Sequence, residues 1–123
     1  MNPSDKRFYL ETKGYTIIDS PAGSWAQRDH NQWHAQILSQ TNNWQKWQLL
    51  LNPRPCFGVT PGVARLFADS LCEFERKGCE FMGLNARCVS ARIWYAAVSK
   101  YPHPTLCLGK GEEDFSVLFE AIA

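Results

Sequence analysis

The sequence has no long apolar run, no C-x-x-C pair and no marked excess of one charge. Nowhere does it reach the about 18 consecutive apolar residues typical of a membrane-spanning helix, and it opens on the polar stretch MNPSDK. Thirteen basic and twelve acidic residues leave a net charge of +1, which gives no electrostatic reason to expect nucleic acid or an anionic membrane surface as partner. We therefore expect no membrane span and no nucleic acid partner.

The cysteines indicate a reducing compartment. Their number is odd, and no signal peptide precedes them, so a disulfide framework is not expected. We predict a cytoplasmic protein with free thiols, most of them acting as small buried hydrophobic residues. The five are Cys56, Cys72, Cys79, Cys88 and Cys107.

Length and composition predict one globular domain. A chain of 123 residues with 45% hydrophobic and 20% charged residues fits a single domain that needs no metal or disulfide to fold. We expect no cofactor. No internal repeat, linker or low-complexity tract divides it. We assign residues 1–123 to one domain, with residues 1–5 expected to be disordered.

A strand, a proline-rich loop and a capped helix form the central unit. The apolar run Trp47–Leu51 must end before Pro53, which has no N–H to donate to a neighbouring strand. Thr60 is suited to cap a helix that begins at Pro61, and Gly78 is suited to end it in a left-handed conformation. One apolar stripe runs along this helix: Val63, Leu66, Phe67, Leu71 and Phe74.

The remaining patterns extend this unit into a layered α/β fold. Strands are predicted at 8–13, 16–19, 47–51, 80–84 and 105–108, and helices at 26–40, 61–77, 89–101 and from 112 onwards. Either Ser24 or Asp29 could cap the first helix. The closing helix would point its apolar residues inward: Phe115, Leu118, Phe119 and Ile122. The order predicts a mixed β-sheet of about five strands with about four helices.

This order resembles the STAS (SpoIIAA-like) fold of bacterial anti-sigma-factor antagonists, and more closely the small bacterial STAS/SEC14-related proteins, most of which have no assigned function. The resemblance spans residues 6–122. It rests on the element order and on a few positions: Trp44, Trp47, Leu50-Leu51-Asn52-Pro53, Thr60-Pro61 and Gly78-Cys79. It implies a regulatory domain that acts through protein–protein contacts.

The sequence departs from that family at its regulatory position. The antagonists carry Asp-Ser-Ser-Gly at this helix start, and the second serine is phosphorylated. Aligned on Gly62, this chain has Val59, Thr60 and Pro61 there, and proline cannot accept a phosphate. Thr60 could substitute, because a helix N-terminus favours a phosphate, but capping already explains it. We interpret the chain as a relative that keeps the scaffold without the switch.

Two constellations could carry chemistry. His30 and His34 lie four residues apart on one helical face, a spacing that can bind a metal, but no third ligand is evident and a solvated helix flank is the commoner reading. Cys56 lies close to a helix N-terminus, which lowers a thiol pKa, but no histidine can be placed beside it. We expect no metal site, no catalytic residue and no enzyme.

The favoured function is a non-enzymatic binding module, which could form a homodimer. Its working surface would be the loop from Arg54 to Thr60 with the following helix start, since partners gather at the carboxyl ends of parallel strands. Phe57 would be an apolar anchor and Arg54 a specificity charge, so replacing both should abolish partner capture and leave the melting temperature nearly unchanged.

Two alternatives stay open. The first is a carrier of a small apolar or acyl ligand, held in a cleft beside Trp33 and Trp94. It is what the lipid-binding side of the resemblance implies. The five tryptophans agree with it, because one or two of them should remain partly exposed, and exposed tryptophan is a frequent anchor in ligand clefts and interfaces. The second is an enzyme that uses Cys56 or the His30/His34 pair.

Overall fold

A computed structural model describes residues 7–110. The strands are β1 (Phe8–Lys13), β2 (Thr16–Pro21), β3 (Ser24–Trp25), β4 (Trp47–Leu51), β5 (Gly58–Val59), β6 (Cys79–Asn85) and β7 (Cys107–Gly109). The helices are α1 (Gln27–Gln40), α2 (Pro61–Arg76) and α3 (Val89–Val98). The segment 1–5 and the closing helix predicted from Glu112 lie outside the described residues.

Five strands form one mixed sheet in the order β1-β2-β4-β6-β7. β1 pairs antiparallel with β2, and each later neighbour pairs in parallel. The prediction of a mixed five-stranded α/β sheet with Trp47–Leu51 at its centre is confirmed. Three of the four predicted helices lie within residues 7–110. None of the helices in this range is long and apolar enough to cross a membrane.

A small second sheet was not predicted. Ser24–Trp25 pairs in parallel with Gly58–Val59, within segments that the sequence indicates are loops. Two residues are too few for a period-two pattern to show. β2 is also longer than predicted, reaching Pro21. The pairing ties the loop after β4 to the loop after β2.

The three helices pack on one face of the large sheet. Ile17, Leu49 and Leu84 point to this face and share one buried cluster with side chains from all three helices. Phe67 of α2 lies at its centre, since its ring contacts those of Trp33 and Trp94 at centroid distances of 4.7 and 5.4 Å. Alternate residues such as Ile18 point to the opposite face and belong to a separate cluster.

Helix α2 begins and ends as the sequence predicts. The Thr60 hydroxyl accepts a hydrogen bond from the Val63 N–H at 3.2 Å, and Pro61 occupies the first helical position. Gly78 has φ of +105°, and a Cβ at this position would collide with the Gln45 carbonyl oxygen. Glycine is therefore required at position 78 for both conformation and space.

Several predicted boundaries are wrong. α1 has Ala26 as its N-cap instead of Ser24 or Asp29, because Ser24 is paired in β3. Asp29 acts from inside the helix, where its carboxylate accepts from the Ala26 N–H at 2.8 Å. α3 stops at Val98, before the predicted Tyr101.

Candidate functional site

The carboxyl ends of β4 and β6 lead into two loops that contact each other. The Asn85 side-chain amide donates to the Asn52 side-chain oxygen at 2.9 Å. The Cys56 N–H donates to the Ser90 hydroxyl at 2.9 Å, and the Cys88 thiol lies 3.5 Å from the Pro53 carbonyl oxygen. The loop after β4 is therefore fixed to the start of α3.

Five exposed residues surround this junction: Arg54, Cys56, Arg87, Arg92 and Lys110. We call them the carboxyl-edge surface. Four of the five are basic. Sequence reasoning found Arg54 and Cys56 from the loop after β4 but missed the other three, because they lie more than 30 residues further along the chain. Parallel pairing of β4, β6 and β7 brings them together.

A tight turn shapes the exposed tip of the loop. The Phe57 N–H donates to the Arg54 carbonyl oxygen at 3.1 Å, and Cys56 has φ of +70°. Pro55 before a positive φ fits a type II turn, which favours glycine at the position of Cys56. Such a conformation costs about 1 kcal/mol for a residue with a Cβ. The bond from Cys56 to Ser90 helps to hold it.

Phe57 is not an exposed anchor. Its side chain is 3% exposed, and its ring packs against those of Trp25 and Phe67 at centroid distances of 5.4 and 6.2 Å. The turn directs Arg54 and Cys56 outward and sends Phe57 back under α2. Because Phe57 fills the core, we now expect its replacement to lower the melting temperature.

Trp33 and Trp94 also belong to the core. Both are buried, and both rings pack against Phe67. The Trp33 indole N–H donates to the Asp19 carboxyl at 2.7 Å. Their buried positions do not match the expectation that they line an accessible cleft.

A cavity of about 630 Å³ lies beside the start of α3. Arg87, Arg92 and Lys110 line it together with Leu108 and two small residues, and none of the lining residues within 7–110 is acidic. Arg92 is held there by its guanidinium, which donates to the carbonyl oxygens of Ala86 and Arg87 at 3.2 and 3.4 Å. The cavity therefore presents positive charge to any ligand that enters it.

The carboxyl end of the sheet carries exposed basic side chains. Arg54, Arg87 and Arg92 lie there, whereas the opposite end, where α2 leads into β6, has charges of both signs, since Arg76 and Lys77 lie in sequence between Glu75 and Glu80. The N-terminus of α3 adds partial positive charge to the carboxyl end, and its N-cap Cys88 makes no side-chain capping bond. A net charge of +1 thus conceals a basic edge that favours anions.

A second polar cluster joins α1 to α2. The Ser70 hydroxyl lies 2.9 Å from His30 Nε2 and 2.7 Å from His34 Nδ1, and His34 Nε2 lies 2.8 Å from a Glu73 carboxylate oxygen. The histidine spacing was noted in the sequence, but Ser70 and Glu73, three residues apart on α2, were missed. His30 is buried, and not on a solvated flank as expected.

This cluster has the connectivity of a serine–histidine–acid triad without its accessibility. A nucleophilic serine must meet a substrate, and Ser70 is only 3% exposed in the middle of α2. Within residues 7–110, no group of three or more histidine, cysteine, aspartate or glutamate side chains could hold a metal ion. In this cluster the polar side chains of α1 and α2 satisfy one another's hydrogen bonds.

Burial keeps two titratable side chains of the core neutral near pH 7. Desolvation lowers the pKa of His30 to about 4 and raises the pKa of Asp19 to about 8, against a smaller opposing effect of the hydrogen bond from Trp33. Asp19 Oδ1 and His30 Nδ1 have no hydrogen-bond partner among the described residues. The burial of Asp19 could not be predicted from the sequence, because an aspartate at a strand end is normally solvated.

All five cysteines are free, as expected. Only Cys79 is buried, whereas Cys56 and Cys107 are exposed, so the expectation that most are buried is wrong. Burial raises the pKa of Cys79 to about 12. This thiol is therefore not a nucleophile.

Comparison with known proteins identifies no family. No protein-family model matches the chain, and no curated protein matches it either. The resemblance to STAS-like domains, the homodimer and the cellular location therefore stay predictions.

Proposed function

We propose that the protein is a non-enzymatic binding module whose carboxyl-edge surface takes the acidic segment of a protein partner. The observation that supports this most strongly is the lining of the 630 Å³ cavity, to which the described part of the chain contributes three basic residues and no acidic one. Arg54 extends the positive surface onto the neighbouring loop. Complementary charge of this kind steers a partner and selects against others.

The surface has the features of a docking site built on a rigid support. Its loops are fixed by the contacts of Asn52, Cys56 and Cys88, while the basic side chains stay exposed. The strained Cys56 turn holds the loop tip outward. A partner would meet a preformed surface, so little ordering entropy opposes binding.

A STAS-like regulatory role agrees with this surface. The five strands of the large sheet and α1–α3 follow one another in the order that the sequence predicts, with β3 and β5 in addition, and the loop before α2 lies next to the basic residues. Thr60 is exposed, but its hydroxyl caps α2, and Pro61 stands at the phosphorylated position of the antagonists. We therefore propose regulation by contact, without the serine switch.

The other two functions have less support. A carrier of apolar ligands would have to open the core around Trp33 and Trp94, which is closely packed. An enzyme based on Ser70 and His34 would need access to a buried hydroxyl. Cys56 is accessible, but its loop contains no histidine to serve as a base.

The proposal can be tested with a defined anionic probe. We expect a hexaglutamate peptide, added to the isotope-labelled full chain, to shift the backbone NMR signals of Arg54, Arg87 and Arg92. The shifts should disappear near 0.5 M salt, since the interaction is electrostatic. Shifts spread evenly over the molecule, or shifts that do not change with salt, would contradict the assignment.

A further inference from the structure

The outer side of α3 is apolar. The inner side of this helix packs into the core through Ala91, Trp94 and Val98, which are buried. The outer side carries Val89 and Ile93, whose side chains are 60% and 64% exposed. A surface helix of a globular protein normally has polar residues on the side that faces away from the core. The outer side of α3 therefore exposes apolar area that contributes nothing to the core.

These exposed side chains form one stripe along the helix. Val89, Ile93 and Ala96 are spaced at i, i+4 and i+7, which places them on one helical face, and Ala96 is exposed as well. Arg92 lies at i+3 in the same stripe and supplies its charge. We call these four residues the α3 stripe.

Exposure of large aliphatic side chains is confined to this region. In the described part of the chain, the exposed valine, isoleucine and leucine side chains are Val89, Ile93 and Leu108. Leu108 lines the basic cavity together with Arg87 and Arg92. Single exposed aliphatic residues are common on protein surfaces, whereas neighbouring ones mark interaction sites. The α3 stripe is therefore continuous, through Arg92, with the carboxyl-edge surface.

We propose that the acidic segment taken by the carboxyl-edge surface is an amphipathic helix whose apolar side packs on the α3 stripe. This inference rests on the proposed function and specifies the chemistry of the partner. Val89 and Ile93 are about 6 Å apart along the axis of α3, which matches the spacing of apolar residues one turn apart on a partner helix. Acidic residues beside that apolar side would face Arg87 and Arg92, so charge sets the orientation and apolar contact adds affinity.

Charge argues against a second copy of this chain as the occupant. In a symmetric dimer the same surface meets itself, so packing of α3 on α3 would bring the two copies of Arg92 together. The four residues of the α3 stripe include no acid to compensate them, and like charges in contact are unfavourable. A partner with acidic residues beside its apolar ones removes this repulsion.

Two peptides of about 14 residues, or four helical turns, test the chemistry of the partner. Both have the same content of leucine, alanine and glutamate. In one the leucines lie on one side of the helix, and in the other they are distributed around it. We expect the full chain to bind the amphipathic peptide about tenfold or more tighter in titration calorimetry, because this peptide alone can bury both Val89 and Ile93. The backbone NMR signals of these two residues should shift with the amphipathic peptide.

Substitutions on the α3 stripe supply the matched comparison. Val89→Ser/Ile93→Ser should weaken binding of the amphipathic peptide about tenfold and leave the response to hexaglutamate unchanged, with the melting temperature close to that of the natural chain. Tyr15→Ser is the control, because Tyr15 is 60% exposed and lies at the turn between β1 and β2, at the other end of the sheet. It should change neither response.

The contrary results separate this inference from the proposed function. Equal affinity for the two peptides, or binding that does not change in Val89→Ser/Ile93→Ser, would overturn the amphipathic helix; if the signals of Arg87 and Arg92 still shift, the proposed function stands. Absence of shifts at these arginines with both peptides and with hexaglutamate would overturn both. A natural chain that sediments as a dimer and becomes monomeric in the serine variant would assign the α3 stripe to a second copy and contradict the proposal.

Discussion

Asp19 gives the protein a pH-dependent stability that one substitution should remove. Its carboxyl group is buried and its pKa is raised from 3.8 to about 8. A raised folded pKa means that stability is fully present below pH 3.8 and is lost as the pH rises towards 8, since the unfolded chain releases the proton first. Each pH unit in this window lowers the free energy of unfolding by about 1.4 kcal/mol, and the loss at pH 7 is about 4 kcal/mol.

His30 opposes this effect over part of the range. Its pKa is lowered from 6.5 to about 4, so stability falls as the pH drops below 6.5, by about 1.4 kcal/mol for each unit. Between pH 4 and 6.5 the contributions of Asp19 and His30 therefore nearly cancel. Between pH 6.5 and 8, Asp19 dominates, because Cys79 with its pKa of about 12 contributes only in more alkaline solution.

Asp19→Asn removes the charge and keeps an oxygen that can accept from the Trp33 indole. We expect this variant to be up to about 4 kcal/mol more stable than the natural chain at pH 7, with no decline between pH 6.5 and 8. Urea unfolding followed by tryptophan fluorescence across pH 4.5–8 measures the stability difference at pH 7 and the pH dependence of the stability. A natural chain of constant stability from pH 6.5 to 8, or an equal decline in Asp19→Asn, would refute the reasoning.

Four further substitutions test the site and its support. Phe57→Ala should lower the free energy of unfolding by about 3–5 kcal/mol, whereas Arg54→Ala should change it by less than about 0.5 kcal/mol; equal effects in urea unfolding would contradict the burial of Phe57. Ser70→Ala should cost about 1–3 kcal/mol by leaving His30 without its partner, and an unchanged urea midpoint would show that the cluster contributes nothing. Cys56→Gly should stabilise by about 1 kcal/mol by relieving its positive φ, and a lower melting temperature would argue against strain there.

Much of the fold could be predicted because local patterns and tertiary contacts agree. The run at Leu49–Leu51, the cap at Thr60 and the stop at Gly78 each specify one structure with little ambiguity, and they define the centre of the sheet. β3 and β5 could not be predicted, because two-residue strands are too short to produce a periodic pattern in the sequence. The interpretation of Phe57 failed for a related reason: an apolar residue in a loop can equally be an anchor or a core side chain.

The candidate site was only partly predictable. Arg54 could be located because a proline-rich loop after a buried strand marks the carboxyl end of a sheet. Arg87, Arg92 and Lys110 look like ordinary surface residues in the sequence, and only the pairing of β6 and β7 beside β4 makes them a cluster. Ser70 similarly cannot be recognised as part of a polar cluster from the sequence, because its partners His30 and His34 lie on α1.

The most direct test of the carboxyl-edge surface compares two charge-reversal variants in capture from extracts of the source cells. Arg54→Glu/Arg87→Glu alters the surface, and Lys46→Glu/Lys100→Glu makes the same change in net charge at exposed positions near the opposite end of the sheet. We predict that a protein retained by the natural chain and by the lysine variant is lost from the arginine variant, with melting temperatures of all three chains alike. Retention by the arginine variant, or equal loss from both variants, would contradict the central claim.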